Sequence, residues 1–358
     1  MKAVIIAGGW GTRLRPLTYG CPKPIVPVVN RPFVIHQIEL LKKYGIKEII
    51  LNLHYFSDQI RELFGDGSKF GVKLYYSIEE APLGTAGAVK NAEQFFGAPD
   101  ELMVVFNGDV LTDLNISELI DYHKKNKADV TLTLTEVEDP TRYGLVITEK
   151  NGRVEKFLEK PSWEQVVTKA INAGTYVLTP KVFADIPKGK VYSFERELFP
   201  GLLKAGKQIF GFTSKYYWLD IGTPRKYLEA HRAILSNEVK VNLNEKEQGK
   251  QKWVGEDVRI AENALIKAPS IIGDHSRIER EAKIKEFSVL GERIVVGEET
   301  EIARSVIWNE TTIGRGVKIS DAILGARCVI EDYAVISGGV VIADGTIIRK
   351  GTLIGGLG

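Results

Sequence analysis

Apolar runs of strand length alternate with helix-type patterns along the first two thirds of the chain. In the helix-type stretches, apolar residues recur every three or four positions, which is the spacing of one helix face. The alternation predicts strands at 2–7, 48–53, 72–77 and 102–106, and helices at 33–44, 85–96 and 117–125. Strands and helices in this order form a mostly parallel sheet covered on both faces, with ligand sites at the carboxyl ends of the strands.

A different period begins after residue 257. Aliphatic residues recur every six positions, with two steps of five, and a small or β-branched residue stands four positions after nearly every one. The pattern resembles the hexapeptide repeat of the left-handed parallel β-helix, and the number of positions disfavours the alternative of an irregular β-rich tail. The aliphatic positions, enough for about five coils at three positions per coil, are Ile260, Ile266, Ile272, Ile278, Ile284, Leu290, Val296, Ile302, Ile307, Ile313, Ile319, Leu324, Ile330, Ile336, Ile342, Ile348 and Ile354.

The length of the chain predicts two domains. A chain of 358 residues exceeds what one hydrophobic core usually supports. Residues 236–256 are polar and are predicted to connect the domains without adding a sheet element. We therefore expect an α/β domain at 1–235, a linker at 236–256 and a β-helix at 257–358.

Charge and cysteine content narrow the classes of partner. The 48 Lys and Arg and the 46 Asp and Glu are interspersed along the chain. This distribution argues against nucleic acid or a membrane surface as a partner, while a small polyanionic ligand remains possible. Cys21 and Cys328 lie far apart without CxxC spacing, so neither a disulfide framework nor a zinc site is indicated, and a cytoplasmic location is expected. The amino-terminal apolar run is too short for a signal peptide or a membrane span.

A glycine-rich turn with nearby cations follows the first predicted strand. The loop Gly8-Gly9-Trp10-Gly11 lacks the Lys-Ser/Thr of a Walker A motif and has Leu14 where the dinucleotide fingerprint requires glycine. Such a turn alone is as often structural as ligand-binding. Arg13, Arg15 and Lys23 add three positive charges within a short segment, and prolines stiffen the chain on both sides of Lys23. Together these features favour a triphosphate ligand.

Seven sequence blocks carry a family resemblance. The blocks are AGGWGTRLRPLT…PKPIVPVVNRP, PLGTAGAV, NGDVLTD, RYGLV, EKP, INAGTYV and WLDIGTP. Over residues 1 to about 235 they resemble the blocks of the sugar-1-phosphate nucleotidylyltransferases. Many members of that family also carry a hexapeptide-repeat domain. The resemblance implies a Rossmann-like catalytic domain.

The reaction implied by the resemblance is attack of a hexose 1-phosphate oxygen on the α-phosphorus of a nucleoside triphosphate, which releases pyrophosphate. It requires charge neutralisation and in-line positioning, usually with Mg²⁺, and no side-chain nucleophile. Because the second pKa of a phosphate monoester is about 6, no general base is needed. By carry-over from the family, Asp109 and Asp220 hold the metal, with a cap or turn role as the alternative for either residue.

The resemblance also assigns the substrate contacts. By this carry-over, Arg13 and Lys23 bind the triphosphate, and the segment from Pro82 to Gly87 passes close to the nucleobase. The implied nucleotide-binding residues are Ala7, Gly8, Gly9, Gly11, Thr12, Arg13, Gly84, Thr85 and Ala86. The implied sugar-phosphate residues are Gly144, Glu159, Lys160 and Asn172, and the implied catalytic residues are Arg13, Lys23, Asp109, Lys160 and Asp220.

Several alternatives stay open within this family. The blocks look most like those of the mannose-1-phosphate guanylyltransferases, whereas glucose enzymes that use ATP, dTTP or UTP share most of them. A regulatory homologue that binds an NDP-sugar without turnover is a second alternative. An acyltransferase activity of the β-helix is a third, and the repeat domain offers only His275 as a base for it. We expect the β-helix to pack against the catalytic domain or a second subunit in a homo-oligomer.

Overall fold

The computed structural model describes residues 1–355. The α-helices are α1 (Phe33–Lys43), α2 (Ser57–Phe64), α3 (Gly84–Asn91), α4 (Ile116–Lys125), α5 (Phe199–Lys204) and α6 (Pro224–Leu235). The strands up to residue 220 are β1 (Lys2–Ile6), β2 (Pro27–Val28), β3 (Arg31–Pro32), β4 (Glu48–Leu53), β5 (Lys73–Ile78), β6 (Met103–Asn107), β7 (Val110–Thr112), β8 (Val130–Glu136), β9 (Gly144–Thr148), β10 (Val154–Glu159), β11 (Ala170–Leu178), β12 (Ile209–Thr213) and β13 (Trp218–Asp220). None of the helices within residues 1–355 has the length and apolar character to cross a membrane.

The chain divides into two compact units. The first contains residues 1–10 and 37–218, and the second contains residues 11–36 together with the chain from 219 onward. The first unit is built on a nine-stranded sheet of order β10-β9-β11-β6-β1-β4-β5, in which β8 pairs with β11 and β12 pairs with β8. Because β6, β1, β4 and β5 are parallel, their carboxyl ends lie along one edge.

The predicted elements of the first unit are confirmed with one exception. The helix predicted at 85–96 ends at Asn91 and is followed by a 3-10 turn at Glu93–Phe95. Helix α2 was not predicted, because its eight residues bury only Ile60 and Phe64. The sheet is parallel near β1, while β8 to β11 add antiparallel pairs. A short turn such as the one between β9 and β10 cannot make the crossover that a parallel pair requires.

Beyond residue 245 the second unit stacks short strands into three sheets. Each strand from β15 to β29 pairs in parallel with the strand three further along, which places Ile284 beside Ile302. Inward aliphatic side chains from Ile272 to Ile348 fill the interior, so the predicted β-helix is confirmed; residues 356–358 of its predicted range lie outside the described residues. The strands are β14 (Lys246–Glu247), β15 (Lys252–Val254), β16 (Arg259–Ile260), β17 (Leu265–Ile266), β18 (Ser270–Ile272), β19 (Arg277–Ile278), β20 (Lys283–Ile284), β21 (Ser288–Leu290), β22 (Val295–Val296), β23 (Glu301–Ala303), β24 (Val306–Ile307), β25 (Thr312–Ile313), β26 (Lys318–Ser320), β27 (Ile323–Leu324), β28 (Val329–Ile330), β29 (Val335–Ser337), β30 (Val341–Ile342), β31 (Ile347–Ile348) and β32 (Leu353–Gly355).

The segment 236–256 contains strands β14 and β15, so the expectation that it adds no sheet element is wrong. Strand β15 pairs in parallel with β18 and places Val254 beside Ile272. Val254 lies six residues before Ile260, so the repeat begins one position earlier than predicted, within a polar stretch that obscures it. With β15, each of the three sheets contains six parallel strands within residues 1–355. The predicted limits of the two domains stay a prediction.

The second unit also contains the hairpin β2–β3 and helix α6. Strands β2 and β3 pair antiparallel, with Val28 beside Arg31. Helix α6 begins with Pro224 in its first turn, and the side chain of Thr223 accepts a hydrogen bond from the Lys226 amide. These are the residue types that favour a helix start. The turn at residues 11–25, which carries the predicted triphosphate cations, therefore belongs to the unit that contains the β-helix.

Candidate functional site

Two loops of the first unit leave the carboxyl edge of the sheet side by side. Ile6 at the end of β1 is level with Asn107 at the end of β6. The Gly108 amide donates a hydrogen bond of 2.9 Å to the Ile6 carbonyl oxygen. A Cβ at Gly108 would lie 2.4 Å from that oxygen and 3.1 Å from the Cα of Ala7. Only glycine fits there, and Asp109 consequently leaves β6 next to the glycine-rich turn.

Gly8 and Gly9 have different surroundings. A Cβ at Gly8 would lie 3.0 Å from Glu79 Oε1, whereas a Cβ at Gly9 would have no atom of the described residues within 4 Å. Glu79 is buried at the end of β5 and accepts a hydrogen bond of 2.8 Å from the Leu83 amide. Its burial raises its pKa. His54 Nδ1 lies 2.8 Å from the Glu79 carbonyl oxygen. The backbone at Gly9 therefore stays open, while Gly8 is packed against a buried carboxyl group.

Helix α3 begins in the segment predicted to pass the nucleobase. Gly84 has a φ of 73°, and a Cβ there would lie 2.8 Å from the Tyr192 carbonyl oxygen. The Ala86 amide donates to the same oxygen at 2.9 Å. Thr85 Oγ1 donates to Glu195 Oε2 at 2.9 Å. The small residues of this segment therefore allow close packing within the first unit, and the hydroxyl of Thr85 is held by Glu195.

Three of the residues predicted to bind the sugar phosphate meet at the end of β10. Gly144 pairs with Glu159, and Lys160 follows with a φ of 49°. Glu159 is half-buried, and this burial together with the nearby Glu195 raises the pKa of its carboxyl group. Lys160 Nζ lies 4.0 Å from Glu159 Oε1, with 59% of its side chain exposed. The ammonium group thus lies at the surface beside a partly buried carboxyl group.

Asn172 lies on β11 in a network that the sequence did not reveal. Its Nδ2 donates to Tyr176 Oη at 2.8 Å, and its Oδ1 accepts from the Gly174 amide at 3.0 Å. Tyr176 is fully buried and donates to Glu195 Oε1 at 3.5 Å. Burial and Glu195 raise the Tyr176 pKa well above its usual value, so the phenol stays a donor. Glu195 was missed because it lies outside the seven blocks, and Tyr176 because it resembles an ordinary core aromatic.

In the second unit, Gly11 and Lys23 lie against each other. Gly11 has a φ of 62°, and a Cβ there would lie 3.2 Å from Lys23 Cβ. Thr18 Oγ1 donates to the Gly11 carbonyl oxygen at 2.9 Å. Thr12 begins a 3-10 turn that leaves Arg13 exposed. The cationic segment therefore folds back on itself and brings Lys23 next to the start of the turn that carries Arg13.

Asp220 ends β13 with cations close to it. Lys226, in the first turn of α6, forms an ion pair with Asp220 Oδ1. A Cβ at Gly222 would lie 3.2 Å from Asp220 Oδ2 and 2.8 Å from Arg13 Nη2. Arg13 and Asp220, both predicted from the sequence, thus face each other across Gly222. Lys226 was not predicted, because an isolated lysine in a helix gives no sequence signal.

The predicted site residues divide between the two units. The first contains Ala7, Gly8, Gly9, Gly84, Thr85, Ala86, Asp109, Gly144, Glu159, Lys160 and Asn172, and the second contains Gly11, Thr12, Arg13, Lys23 and Asp220. Among residues 1–355, no group of three or more His, Cys, Asp and Glu side chains could hold a metal. Mg²⁺ needs only one or two carboxylates and takes its other oxygens from phosphate and water. The half-buried Asp109 and the buried Asp220 provide hard oxygen donors of the kind that Mg²⁺ prefers.

The fold and these residues define an α/β enzyme for phosphorylated ligands, followed by a parallel β-helix. The model of the nucleotidyl transferase family matches residues 2–237, and that of the EIF2B subunit epsilon LbH domain matches residues 250–354. The chain belongs to the nucleotidyl transferase family and carries a left-handed β-helix behind the catalytic part.

Curated relatives name two substrate classes. The mannose-1-phosphate guanylyltransferase of Mycobacterium tuberculosis (strain ATCC 25618 / H37Rv) is 38% identical over 274 residues, which are 76% of this chain and 75% of the relative. The UTP–glucose-1-phosphate uridylyltransferase of Synechocystis sp. is 33% identical over 350 residues, 94% of this chain and 90% of the relative. A crystal structure of HddC from Yersinia pseudotuberculosis complexed with GMP-PN is 34% identical with a TM-score of 0.54, covering 64% of this chain and 97% of that one.

Proposed function

We propose that this nucleotidyltransferase transfers a guanylyl group from GTP to mannose 1-phosphate, giving GDP-mannose and pyrophosphate. The observation that carries the proposal is the 38% identity to a mannose-1-phosphate guanylyltransferase over 76% of the chain. The similarity to a structure complexed with GMP-PN supports a guanine nucleotide as the ligand.

The nucleotide is assigned to the glycine-rich turn and the segment at 84–86. Backbone amides at Gly8, Gly9, Gly11 and Thr12 would donate to the phosphate oxygens, and the open surroundings of Gly9 support such an approach. The exposed Arg13 offers a planar guanidinium group that can contact two phosphate oxygens at once. The residues assigned to binding the nucleotide are Ala7, Gly8, Gly9, Gly11, Thr12, Arg13, Lys23, Gly84, Thr85 and Ala86.

Mg²⁺ is assigned to Asp109 and Asp220. When bound, it would neutralise charge on the triphosphate and favour attack at the α-phosphorus. The assignment rests on the two aspartate blocks and on carboxylate oxygen being the ligand that Mg²⁺ prefers. Lys226 orients the Asp220 carboxylate through their ion pair, and Arg13 beside it supplies positive charge for the departing pyrophosphate.

The sugar phosphate is assigned to Gly144, Glu159, Lys160 and Asn172. The exposed ammonium group of Lys160 can bind the phosphate as a point charge. Glu159 offers carboxylate oxygens to sugar hydroxyls. Asn172 has one N–H donor left after its bond to Tyr176. The attacking oxygen belongs to the sugar phosphate itself, so these residues bind and orient it without removing a proton.

A second candidate is a uridylyltransferase acting on glucose 1-phosphate. The Synechocystis relative supports it, because the similarity extends over 94% of this chain, although at 33% identity. The two functions share the same phosphate and metal requirements and differ only in the base and the sugar. They are therefore distinguished by kinetics.

The experiment is a substrate matrix with purified full-length protein. Release of pyrophosphate is measured with each of GTP, UTP, ATP, dTTP and CTP against mannose 1-phosphate and glucose 1-phosphate, with Mg²⁺ present. We expect kcat/KM for GTP with mannose 1-phosphate to exceed that for UTP with glucose 1-phosphate by at least about tenfold. The reverse order would favour the second candidate, and binding without release for every pair would indicate a regulatory homologue.

We also propose that the protein acts in the cytoplasm as a homo-oligomer. Both cysteines are free thiols, as expected in a reducing compartment. On the outer face of one β-helix sheet, Val295, Val329 and Ile347 are 37%, 40% and 53% exposed. Apolar side chains on a flat face support contact with a second copy. The oligomer is tested by measuring the molar mass of the wild type and of Val329→Lys by light scattering. We expect an oligomer for the wild type and its loss in the variant.

A further inference from the structure

The turn that carries Lys23 runs directly into the β2–β3 hairpin. The Val26 amide donates to the Lys23 carbonyl oxygen at 3.2 Å and closes the 3-10 turn Lys23–Ile25. Pro27 then begins β2. Because only three residues separate Lys23 from Pro27, fixing the Pro27 backbone also fixes the end of the turn.

The tip of this hairpin is held by the β-helix and α6. Val29 and Asn30 have φ values of 47° and 60°, a backbone conformation that a β-branched residue such as valine rarely adopts. The Val29 amide donates to His231 Nδ1 at 3.3 Å. Asn30 Nδ2 donates to the Leu290 carbonyl oxygen and to Glu245 Oε1, each at 2.8 Å. The turn therefore keeps this unfavourable backbone conformation because it is hydrogen-bonded to α6, to a β-helix strand and to the segment just before β14.

A directional pair of hydrogen bonds connects the β-helix to Pro27. Trp308, which follows β24, donates from Nε1 to Tyr227 Oη at 3.0 Å. Tyr227 on α6 is fully buried and donates to the Pro27 carbonyl oxygen. An indole N–H can only donate, so the tyrosine oxygen must accept from it, and its own hydrogen remains for Pro27. Trp308 thereby orients the hydroxyl that holds the hairpin.

The strands beside Trp308 form a packed support. In the sheet that contains β21 and β24, Leu290 and Ile307 point into the interior of the β-helix. Val289 and Val306, the residues before them in the same strands, therefore point outward. Both are buried, at 0% and 3% exposure. The outward positions of the neighbouring sheet are, by contrast, partly exposed, as Val295 shows. The hairpin is thus attached to a part of the β-helix that is packed on both faces.

We propose that Trp308 is a positioning residue for the triphosphate side of the reaction, acting through Tyr227 and Pro27 on the turn that carries Lys23. The proposal rests on the proposed function, in which Lys23 binds the triphosphate. It extends the role of the β-helix from packing and assembly to the geometry of nucleotide binding. The alternative is that Trp308 only fills space.

The test uses Trp308→Phe, Tyr227→Phe and the double variant in the full-length protein. Each single change keeps an aromatic ring and removes one donor. We expect KM for the nucleotide to rise, or kcat to fall, by about fivefold in either variant, while KM for the sugar phosphate stays within about twofold. The double variant should show no larger effect than a single one, because both changes break the same connection. Trp253→Phe, the same change elsewhere in the β-helix, is the matched control and should behave as wild type.

Amide hydrogen exchange gives a readout that does not depend on turnover. We expect exchange at Ile25 and Val26 to become about fivefold faster in Trp308→Phe, and not in Trp253→Phe. Wild-type nucleotide kinetics with unchanged exchange in Trp308→Phe would overturn the proposal, as would additive effects in the double variant. If the wild type shows no turnover with any substrate pair, the proposed function fails, and the exchange measurement still decides the role of Trp308. If Trp308→Phe does not fold, Tyr227→Phe gives the same test.

Discussion

Replacing Gly108 by alanine tests whether the two loops of the first unit depend on their close contact. The new Cβ would lie 2.4 Å from the Ile6 carbonyl oxygen, 3.0 Å from its carbon and 3.1 Å from Ala7 Cα. All three of these atoms belong to the backbone, so a change of side-chain rotamer cannot relieve the clash. An added methyl group in a packed region costs about 1–3 kcal/mol, and we take about 3 kcal/mol here. Separating the loops also removes the 2.9 Å hydrogen bond from Gly108 to Ile6, worth about 1 kcal/mol.

A loss of about 4 kcal/mol should lower the melting temperature by about 8–16 °C, since a domain of this size loses about 2–4 °C per kcal/mol. Circular dichroism melts measure this change, and pyrophosphate release measures the displacement of Asp109. Gly9→Ala is the matched control, because a Cβ at Gly9 would have no atom of the described residues within 4 Å. We expect Gly9→Ala to keep the wild-type melting temperature and to raise KM for the nucleotide. A Gly108→Ala variant that melts with the wild type would refute the argument from close approach.

Four further predictions concern the metal, the β-helix and pH. Asp109→Asn and Asp220→Asn should each lower kcat by at least about a hundredfold with little change in melting temperature; near-normal turnover in either would contradict the metal assignment. EDTA should stop pyrophosphate release in the wild type, excess Mg²⁺ should restore it, and the melting curve should barely move. Ile302→Ala should cost about 2–5 kcal/mol in denaturant unfolding, because Ile302 is fully buried in the β-helix interior, and an unchanged midpoint would argue against that packing. Lys283 and Lys285 lower the pKa of Glu301 from 4.5 to about 2. The stability that these ion pairs contribute is therefore present above about pH 4.5 and is lost as the pH falls through 2. Glu301→Gln should melt at a lower temperature than the wild type at neutral pH, and this difference should disappear near pH 2.

The β-helix could be predicted from the sequence because its determinant is local and periodic. One aliphatic residue must point inward on each side of each coil, so the chain repeats every six residues regardless of the rest of the molecule. The start of the repeat was missed at Val254, where polar neighbours surround a single inward residue. The hairpin at Val29 and Asn30 was also not predictable, because neither residue is a glycine and their left-handed backbone is imposed by tertiary contacts.

The candidate site could be predicted only where residues belong to contiguous blocks. Asp109 follows β6 and Asp220 ends β13, and each lies within such a block. Glu195 and Lys226 lie outside the blocks, while Tyr176 lies inside one but looks like an ordinary core aromatic until its contact with Glu195 is known. A pattern along the chain reports on local geometry, while hydrogen-bond partners depend on how the strands are ordered in the sheet.

In the proposed reaction, an oxygen of mannose 1-phosphate attacks the α-phosphorus of GTP. It is tested most directly with mannose 1-phosphate that carries ¹⁸O in its nonbridging phosphate oxygens, followed by mass spectrometry of both products. All of the label is expected in GDP-mannose and none in pyrophosphate. Label in pyrophosphate, or the absence of GDP-mannose with Mg²⁺ and both substrates present, would contradict it.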